Sequence, residues 1–161
     1  MYKKRIVVDV SDAKVSTDPG EVLATYSLGS CIGLCLYEPK ARVGGLLHFQ
    51  LPDSKHDPQR AGDRPFMYAD TGTTLLMNEL LRLGANKRLI HIKIAGGASM
   101  PTGPKGFDIG KQNYLAIRKI FWQMGMMIES EDIGGTWPRN VYMDIDTGFV
   151  TVRGNELEKA I

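Results

Sequence analysis

The chain is poor in cysteine and histidine, with two and three among 161 residues. So small a supply argues against a disulfide framework or a Cys/His-rich metal cage. Long apolar runs are missing too: no stretch approaches the ~20 residues that a membrane-spanning helix needs. Charge of one sign is not in excess. Twenty Lys and Arg against eighteen Asp and Glu leave a formal net charge of +2. That is too little for a nucleic-acid surface, and no segment interleaves basic with aromatic residues. Repeats, low-complexity tracts, charge blocks and linker-like composition are absent. The apolar start, Ile6 to Val10, is broken by Asp9 and carries no small-residue cleavage site. It does not read as a signal peptide, and the expected setting is the cytoplasm, without membrane insertion.

What is present is ordinary for a soluble globular protein: 43% hydrophobic and 24% charged residues. This length predicts a single domain over residues 1–161, burying roughly 70% of its unfolded surface. Strand-like runs are predicted at Arg5–Val10, Val22–Leu28, Cys31–Tyr37 and Val43–Gln50, with a turn at Asp18-Pro19-Gly20. Leu51–Arg64 reads as an exposed loop. A helix over about Phe66–Leu83 follows, with Asp63 or Arg64 near its start, Pro65 in its first turn and Gly84 ending it. Its predicted buried face is Phe66, Ala69, Thr73, Leu76, Met77, Leu80 and Leu83. Leu89–Ala95 reads as a strand and Gly96–Gly106 as a loop. A second helix over Ile109–Met124 is capped by Asp108 and stopped by Gly125. Met126–Ile133, Val141–Asp146 and Phe149–Arg153 complete the strands, the last two joined at Asp146-Thr147-Gly148. The expected fold is α/β: a layered sandwich of mainly antiparallel β-sheet with two main amphipathic helices.

Cys31 stands at the end of Leu28-Gly29-Ser30-Cys31 and opens an alternating run. Along a strand it would lie roughly 13 Å from Cys35, beyond the ~7 Å limit for a disulfide, so both thiols are expected free. A loop Glu38-Pro39-Lys40-Ala41, closed by Tyr37 and Arg42, places Pro39 at the second position of a type I turn. Counting back from that closure sets Cys31 opposite His48. Directly opposed residues hold Cβ atoms about 4.5–5.5 Å apart, and a one-residue change of loop length turns His48 to the other face. The same count gathers Ile32, Leu34, Leu36, Val43 and Leu47 on one core side.

A thiol beside an imidazole is the minimum of a cysteine nucleophile with its base. Gly29 and Ser30 would allow close substrate approach, and nearby backbone N–H groups could meet an oxyanion. Thr25 on the preceding strand has a hydroxyl able to orient the imidazole. The register alone leaves the bland reading open: Cys31 as a small core hydrophobe and His48 as a satisfied half-buried histidine.

Other signals are weaker. Cys31, Cys35 and His48 lack the four ligands and close pairing of structural zinc. His91 shares a strand face with Lys93 and reads as a surface histidine, and His56 sits in a charged loop. Gly96–Lys105 has the glycines of a phosphate loop without its spacing, since Pro104 precedes Lys105 and no Ser or Thr follows. Trp137 beside Pro138 suits either a partner contact or the core. Met124, Met126 and Met127 are expected to fill space around the second helix.

Several ordered motifs together resemble one family over nearly the whole length. They are Thr25-Tyr26-Ser27-Leu28-Gly29-Ser30-Cys31, Cys35-Leu36-Tyr37-Glu38-Pro39, and Leu47-His48-Phe49-Gln50-Leu51-Pro52-Asp53-Ser54. Ile94–Met100, Ile109-Gly110-Lys111-Gln112-Asn113, Asp132-Ile133-Gly134-Gly135 and Asp146-Thr147-Gly148 continue the series. The chain resembles the chemoreceptor glutamine deamidase (CheD) family of bacterial chemotaxis. The resemblance implies a layered α/β sandwich related to the catalytic domain of cytotoxic necrotizing factor toxins. It implies Cys31 as nucleophile, His48 as base and Thr25 as third member, with no metal or organic cofactor. The implied substrates are glutamines of methyl-accepting chemotaxis receptors, converted to glutamate through a thioester with release of ammonia. The same acyl chemistry would permit receptor methylester hydrolysis. The phosphatase CheC is the implied partner, competing with receptors for the enzyme. Pro138-Arg139 departs from the Gly-Arg more usual in relatives, outside the triad.

Overall fold

The computed structural model describes residues 2–100 and 107–161. The later part of the loop expected over Gly96–Gly106 lies outside the described residues. Among the described residues, ten strands form two five-stranded sheets. The first sheet joins β1 (Lys4–Val7), β3 (Glu21–Leu28), β8 (Arg139–Asp144), β9 (Val150–Gly154) and β10 (Leu157–Ala160), in that spatial order. The second runs β2 (Asp12–Ser16), β5 (Val43–Phe49), β4 (Ile32–Glu38), β6 (His91–Gly96) and β7 (Ser130–Ile133). Pairing is antiparallel except between β1 and β3 and between β6 and β7. Helices α2 (Ala69–Arg82) and α3 (Ile109–Gln123) cover the outer face of the second sheet. The layers are therefore sheet, sheet, helices, a layered sandwich of mainly antiparallel sheet with two main helices as the sequence predicts, its layer order supplied by the structure.

Every residue of β4 and β5 is buried. Strands enclosed on both faces lose the polar alternation of a half-exposed sheet. Ile32, Leu34, Leu36, Val43 and Leu47 do share a face, against Leu76, Met77, Leu80, Ile117 and Phe121 of the helices. The opposite face is a second core, not solvent: Cys35, Tyr37 and Leu46 meet Leu23, Val141, Met143 and Val150 of the first sheet.

Most predicted elements exist, with shifted ends. Glycines close both helices as expected, Gly84 at φ 99° and Gly125 at φ 68°. Asp108 caps α3 by accepting from the Lys111 N–H at 3.1 Å. The presumed loop Leu51–Arg64 instead folds a 3-10 turn at Ser54–His56 and the short helix α1 (Pro58–Asp63). Asp57 caps α1 from just before Pro58, a pairing of acceptor and N1 proline that the loop assignment overlooked. The long helix starts later than predicted, because Pro65–Met67 forms a separate 3-10 turn. Strands β2 and β10 were not expected at all. Both lie at sheet edges, and β10 is exposed throughout, so no apolar alternation announces it.

Leu34 sits fully buried between the second sheet and the helices that cover it. Leu34→Ala is expected to destabilise the fold by about 2–5 kcal/mol, read from urea unfolding midpoints.

Candidate active site

His48 lies near the end of β5 and faces the first sheet, 1% exposed. Across the gap between sheets, the Thr25 side chain of β3 is wholly buried. The Thr25 hydroxyl donates to the Val8 carbonyl at 2.7 Å. Its hydrogen is thereby engaged, so the 2.8 Å contact with His48 Nδ1 must run the other way. Nδ1 carries the hydrogen and donates, and the lone pair is left on Nε2. Nε2 is buried and has no hydrogen-bond partner among the described residues. A buried acceptor with nothing to accept is uncommon, and here it is the atom a general base would use.

The expected register is corrected by two residues. Gly33, not Cys31, stands opposite His48, and Ile32 opposite Phe49. The hairpin is closed by Glu38 and Val43 instead of Tyr37 and Arg42. Two local causes move it. Glu38 stays in the strand with its carboxylate turned into the loop, accepting from the Lys40 N–H at 2.5 Å and the Ala41 N–H at 3.2 Å. Arg42 takes up the reversal with φ 55°. A shift of two preserves side-chain parity, so Cys31 remains on the His48 face as a diagonal neighbour. Among the described residues its thiol makes no hydrogen bond with His48. Gly33 keeps the slot narrow, since a Cβ there would lie 3.1 Å from Leu28 and 3.6 Å from Thr25.

The segment that carries Cys31 has its own framework. Between Thr25 and Leu28 the pairing of β3 with β8 slips by one residue, with Ser27 in the left-handed region at φ 59°. This bulge lets Thr25 and Leu28 both point between the sheets, which an unbroken strand forbids. Beyond it, Gly29-Ser30-Cys31 is held by backbone bonds from the residues just past β6 (His91–Gly96). The Ala98 N–H donates to the Gly29 carbonyl at 2.8 Å and the Gly97 N–H to the Cys31 carbonyl at 2.9 Å. Gly96, at φ 117°, allows that approach, because a Cβ there would overlap the Cys31 carbonyl oxygen.

Electrostatics favour a neutral pair at rest. Burial lowers His48 to about 4, partly opposed by the Asp9 carboxylate. Burial raises the Cys31 thiol, partly offset by its own backbone N–H. The half-buried Cys31 and the core Cys35 differ sharply. Cys35 is enclosed between the sheets and pushed up to about 12 by burial, with Lys93 opposing. The bland reading of a buried cysteine thus describes Cys35.

The remaining candidates fall away from this cluster. Among the described residues no group of three or more His, Cys, Asp or Glu is arranged to hold a metal ion. His91 is exposed and bonds Glu129 through Nδ1 at 2.7 Å, and His56 is exposed. Trp137 is half-buried, with the Arg139 guanidinium 5.3 Å from its ring. Met124 and Met126 pack against the helix core as expected, whereas Met127 is exposed. Pro101 to Lys105 of the glycine-rich segment lie outside the described residues. Sequence reasoning overlooked the Val8 carbonyl, because main-chain groups carry no residue signature.

Two measurements test these charge states. Above about pH 6.5 His48 is neutral folded and unfolded; as pH falls toward 4 only the unfolded chain takes the proton, so stability is lost over that window. At ~1.4 kcal/mol per unit the loss reaches roughly 3 kcal/mol, and His48→Gln should remove it from urea unfolding at pH 7 and 4.5. Alkylation of Cys31 by iodoacetamide should show an inflection above the ordinary thiol value of ~8.5. An acidic inflection would mean a resting thiolate–imidazolium pair.

A family profile described as CheD chemotactic sensory transduction matches residues 50–154. The chain is 47% identical over 158 residues, 98% of itself and 94% of the relative, to the "Probable chemoreceptor glutamine deamidase CheD" of Solibacter usitatus (strain Ellin6076). It is 44% identical over 150 residues to "Probable chemoreceptor glutamine deamidase CheD 1" of Syntrophus aciditrophicus (strain SB), 93% of this chain and 94% of that one. To the "Chemoreceptor glutamine deamidase CheD" of Thermotoga maritima it is 39% identical over 156 residues, 94% of this chain and 96% of the relative. Likeness of this extent, nearly the whole chain against the first of these relatives and residues 50–154 against the profile, means that the chain belongs to the CheD family of chemotactic sensory transduction.

Proposed function

We propose that this protein deamidates specific glutamine side chains of methyl-accepting chemotaxis receptors to glutamate, using Cys31, His48 and Thr25. The carrying observation is the unpartnered Nε2 of a buried neutral histidine whose other nitrogen is held by Thr25. The full-length relatives named as chemoreceptor glutamine deamidases support the substrate class. The proposal takes residues 1–161 as one deamidase domain, acting in the cytoplasm where both thiols stay reduced. Its partners are the receptors and, by family resemblance, the phosphatase CheC.

In this mechanism His48 Nε2 takes the thiol proton as Cys31 Sγ bonds to the amide carbon of the glutamine. The carbonyl π electrons move to oxygen, and backbone N–H groups of the Gly29-Ser30-Cys31 turn stabilise the oxyanion. His48 returns its proton to the amide nitrogen, the C–N bond breaks, ammonia leaves and a thioester remains. Water then attacks that carbon while His48 accepts its proton, the C–S bond breaks, and the thiol is restored with a carboxylic acid. Thr25 holds Nδ1–H throughout, so the same ring nitrogen always faces the reaction. Resting Cys31 and His48 are diagonal neighbours, and substrate binding closes the remaining distance, as catalytic hydrogen bonds commonly tighten only in the complex.

Intact mass of a cognate receptor fragment reads the reaction directly, since each turnover exchanges NH2 for OH. Cys31→Ala and His48→Ala should abolish the mass gain while leaving the fold intact. Thr25→Val should lower kcat by roughly 10- to 100-fold, the scale on which loss of an orienting partner acts. Wild-type activity in Cys31→Ala refutes the nucleophile. An unchanged receptor mass with the wild-type protein favours a regulator that only binds receptors.

A further inference from the structure

No bond between Cys31 and His48 sets their separation at rest, so the chain segments that carry them must. Both segments meet at one end of the second sheet: β4 begins at Ile32, β5 ends at Phe49, and these two residues are paired. Just past that last pair, one amide nitrogen reaches both chains. Asn113 Nδ2 donates to the Ser30 carbonyl at 2.9 Å and to the Gln50 carbonyl at 2.9 Å. Ser30 directly precedes the nucleophile, and Gln50 lies two residues beyond the base.

Three further facts point the same way. Asn113 is 0% exposed, so the contact is not a surface accident. Two carbonyl acceptors can be met only by an NH2 group, which fixes the amide orientation. Asn113 Oδ1 is consequently buried without a partner among the described residues, a cost that simple packing with an apolar side chain would avoid. The helix that presents Asn113 is itself locked to the nucleophile segment. Gly110 lets α3 close on the Gly97 and Ala98 carbonyls, where a Cβ would overlap them. Gly97 and Ala98 are the residues whose N–H groups hold Cys31 and Gly29.

We infer that Asn113 is a positioning residue: it clamps the Ser30 and Gln50 carbonyls and thereby sets the Cys31 to His48 distance for attack. The inference rests on Cys31 and His48 acting as nucleophile and base. A reacting pair is sensitive to displacement on the scale of an ångström, whereas binding of a long receptor helix spreads over many contacts. Loss of the clamp should therefore appear in kcat and hardly in KM.

The test compares Asn113→Ala and Asn113→Ser with Ile117→Val, all in the full chain. Ile117 is one turn further along α3, fully buried in the apolar core and without a hydrogen-bonding side chain, so it reports mere loosening of the helix. On a cognate receptor fragment, Asn113→Ala should lower kcat by roughly 30-fold with KM within about threefold of wild type. Asn113→Ser, keeping one donor on a shorter arm, should fall between, and Ile117→Val should retain wild-type kcat. A kcat for Asn113→Ala within about twofold of wild type, or an equal loss in Ile117→Val, overturns the clamp. Iodoacetamide alkylation of Cys31 provides a substrate-independent arm. Release of the segment should speed it by at least ~5-fold in Asn113→Ala and leave Ile117→Val unchanged. Inactivity of the wild-type protein on receptor would count against the deamidase reading alone. The alkylation rates would then decide the clamp, an unchanged Asn113→Ala rate overturning it.

Discussion

The arrangement of this site depends on one hydrogen bond between the two sheets, from His48 Nδ1 to the Thr25 hydroxyl. Its direction is dictated from further away, because the Val8 carbonyl already engages the Thr25 hydrogen. Val8 in turn is tied to β3 by donating its N–H to the Ala24 carbonyl at 2.7 Å. A parallel extension at the edge of the first sheet thus decides which nitrogen of a histidine in the second carries a proton. Burial then keeps that imidazole neutral, since a charged ring between two apolar sheets would lack water.

Around that bond the sheets are shaped to bring the half-buried Cys31 thiol near the buried His48 imidazole. The β3 bulge allows Thr25 and Leu28, three positions apart, both to point inward, and the left-handed Ser27 marks where the extra residue is absorbed. The missing side chain of Gly33 leaves the space opposite His48 to Thr25 and Leu28. Gly96, without a Cβ, takes the Cys31 carbonyl against its backbone. At Gly96 the close approach is of backbone, and at Gly33 it is of the Leu28 and Thr25 side chains.

Much of the architecture was readable in advance because its signals are local. The buried stripe Ala69, Thr73, Leu76, Met77 and Leu80 follows helical periodicity, and Asp108 with Gly125 brackets α3. The hairpin of β4 and β5 was legible as two apolar runs about a proline turn. Its register was not, because the position of the four-residue loop, one residue further along than expected, depended on Glu38 folding its carboxylate onto the loop and onto the Asn86 N–H at 3.2 Å. No local pattern marks a contact 48 residues away. Edge strands β2 and β10 escaped for a related reason: strands stabilised by pairing need no apolar alternation of their own.

The sequence by itself determined the chemistry available: one thiol after a glycine-serine turn, one histidine in a buried run, and a threonine on the strand before. Side-chain parity also belongs to the sequence, since a strand repeats every two residues and a register error of two leaves the faces unchanged. Only the tertiary structure decided which thiol is accessible, which imidazole nitrogen is free and what holds the two segments at their spacing. Those properties arise from Val8, Gly96 and Asn113, which lie far along the chain from Cys31 and His48. They act through main-chain carbonyls, burial and absent side chains, none of which has a residue code of its own until the chain has folded.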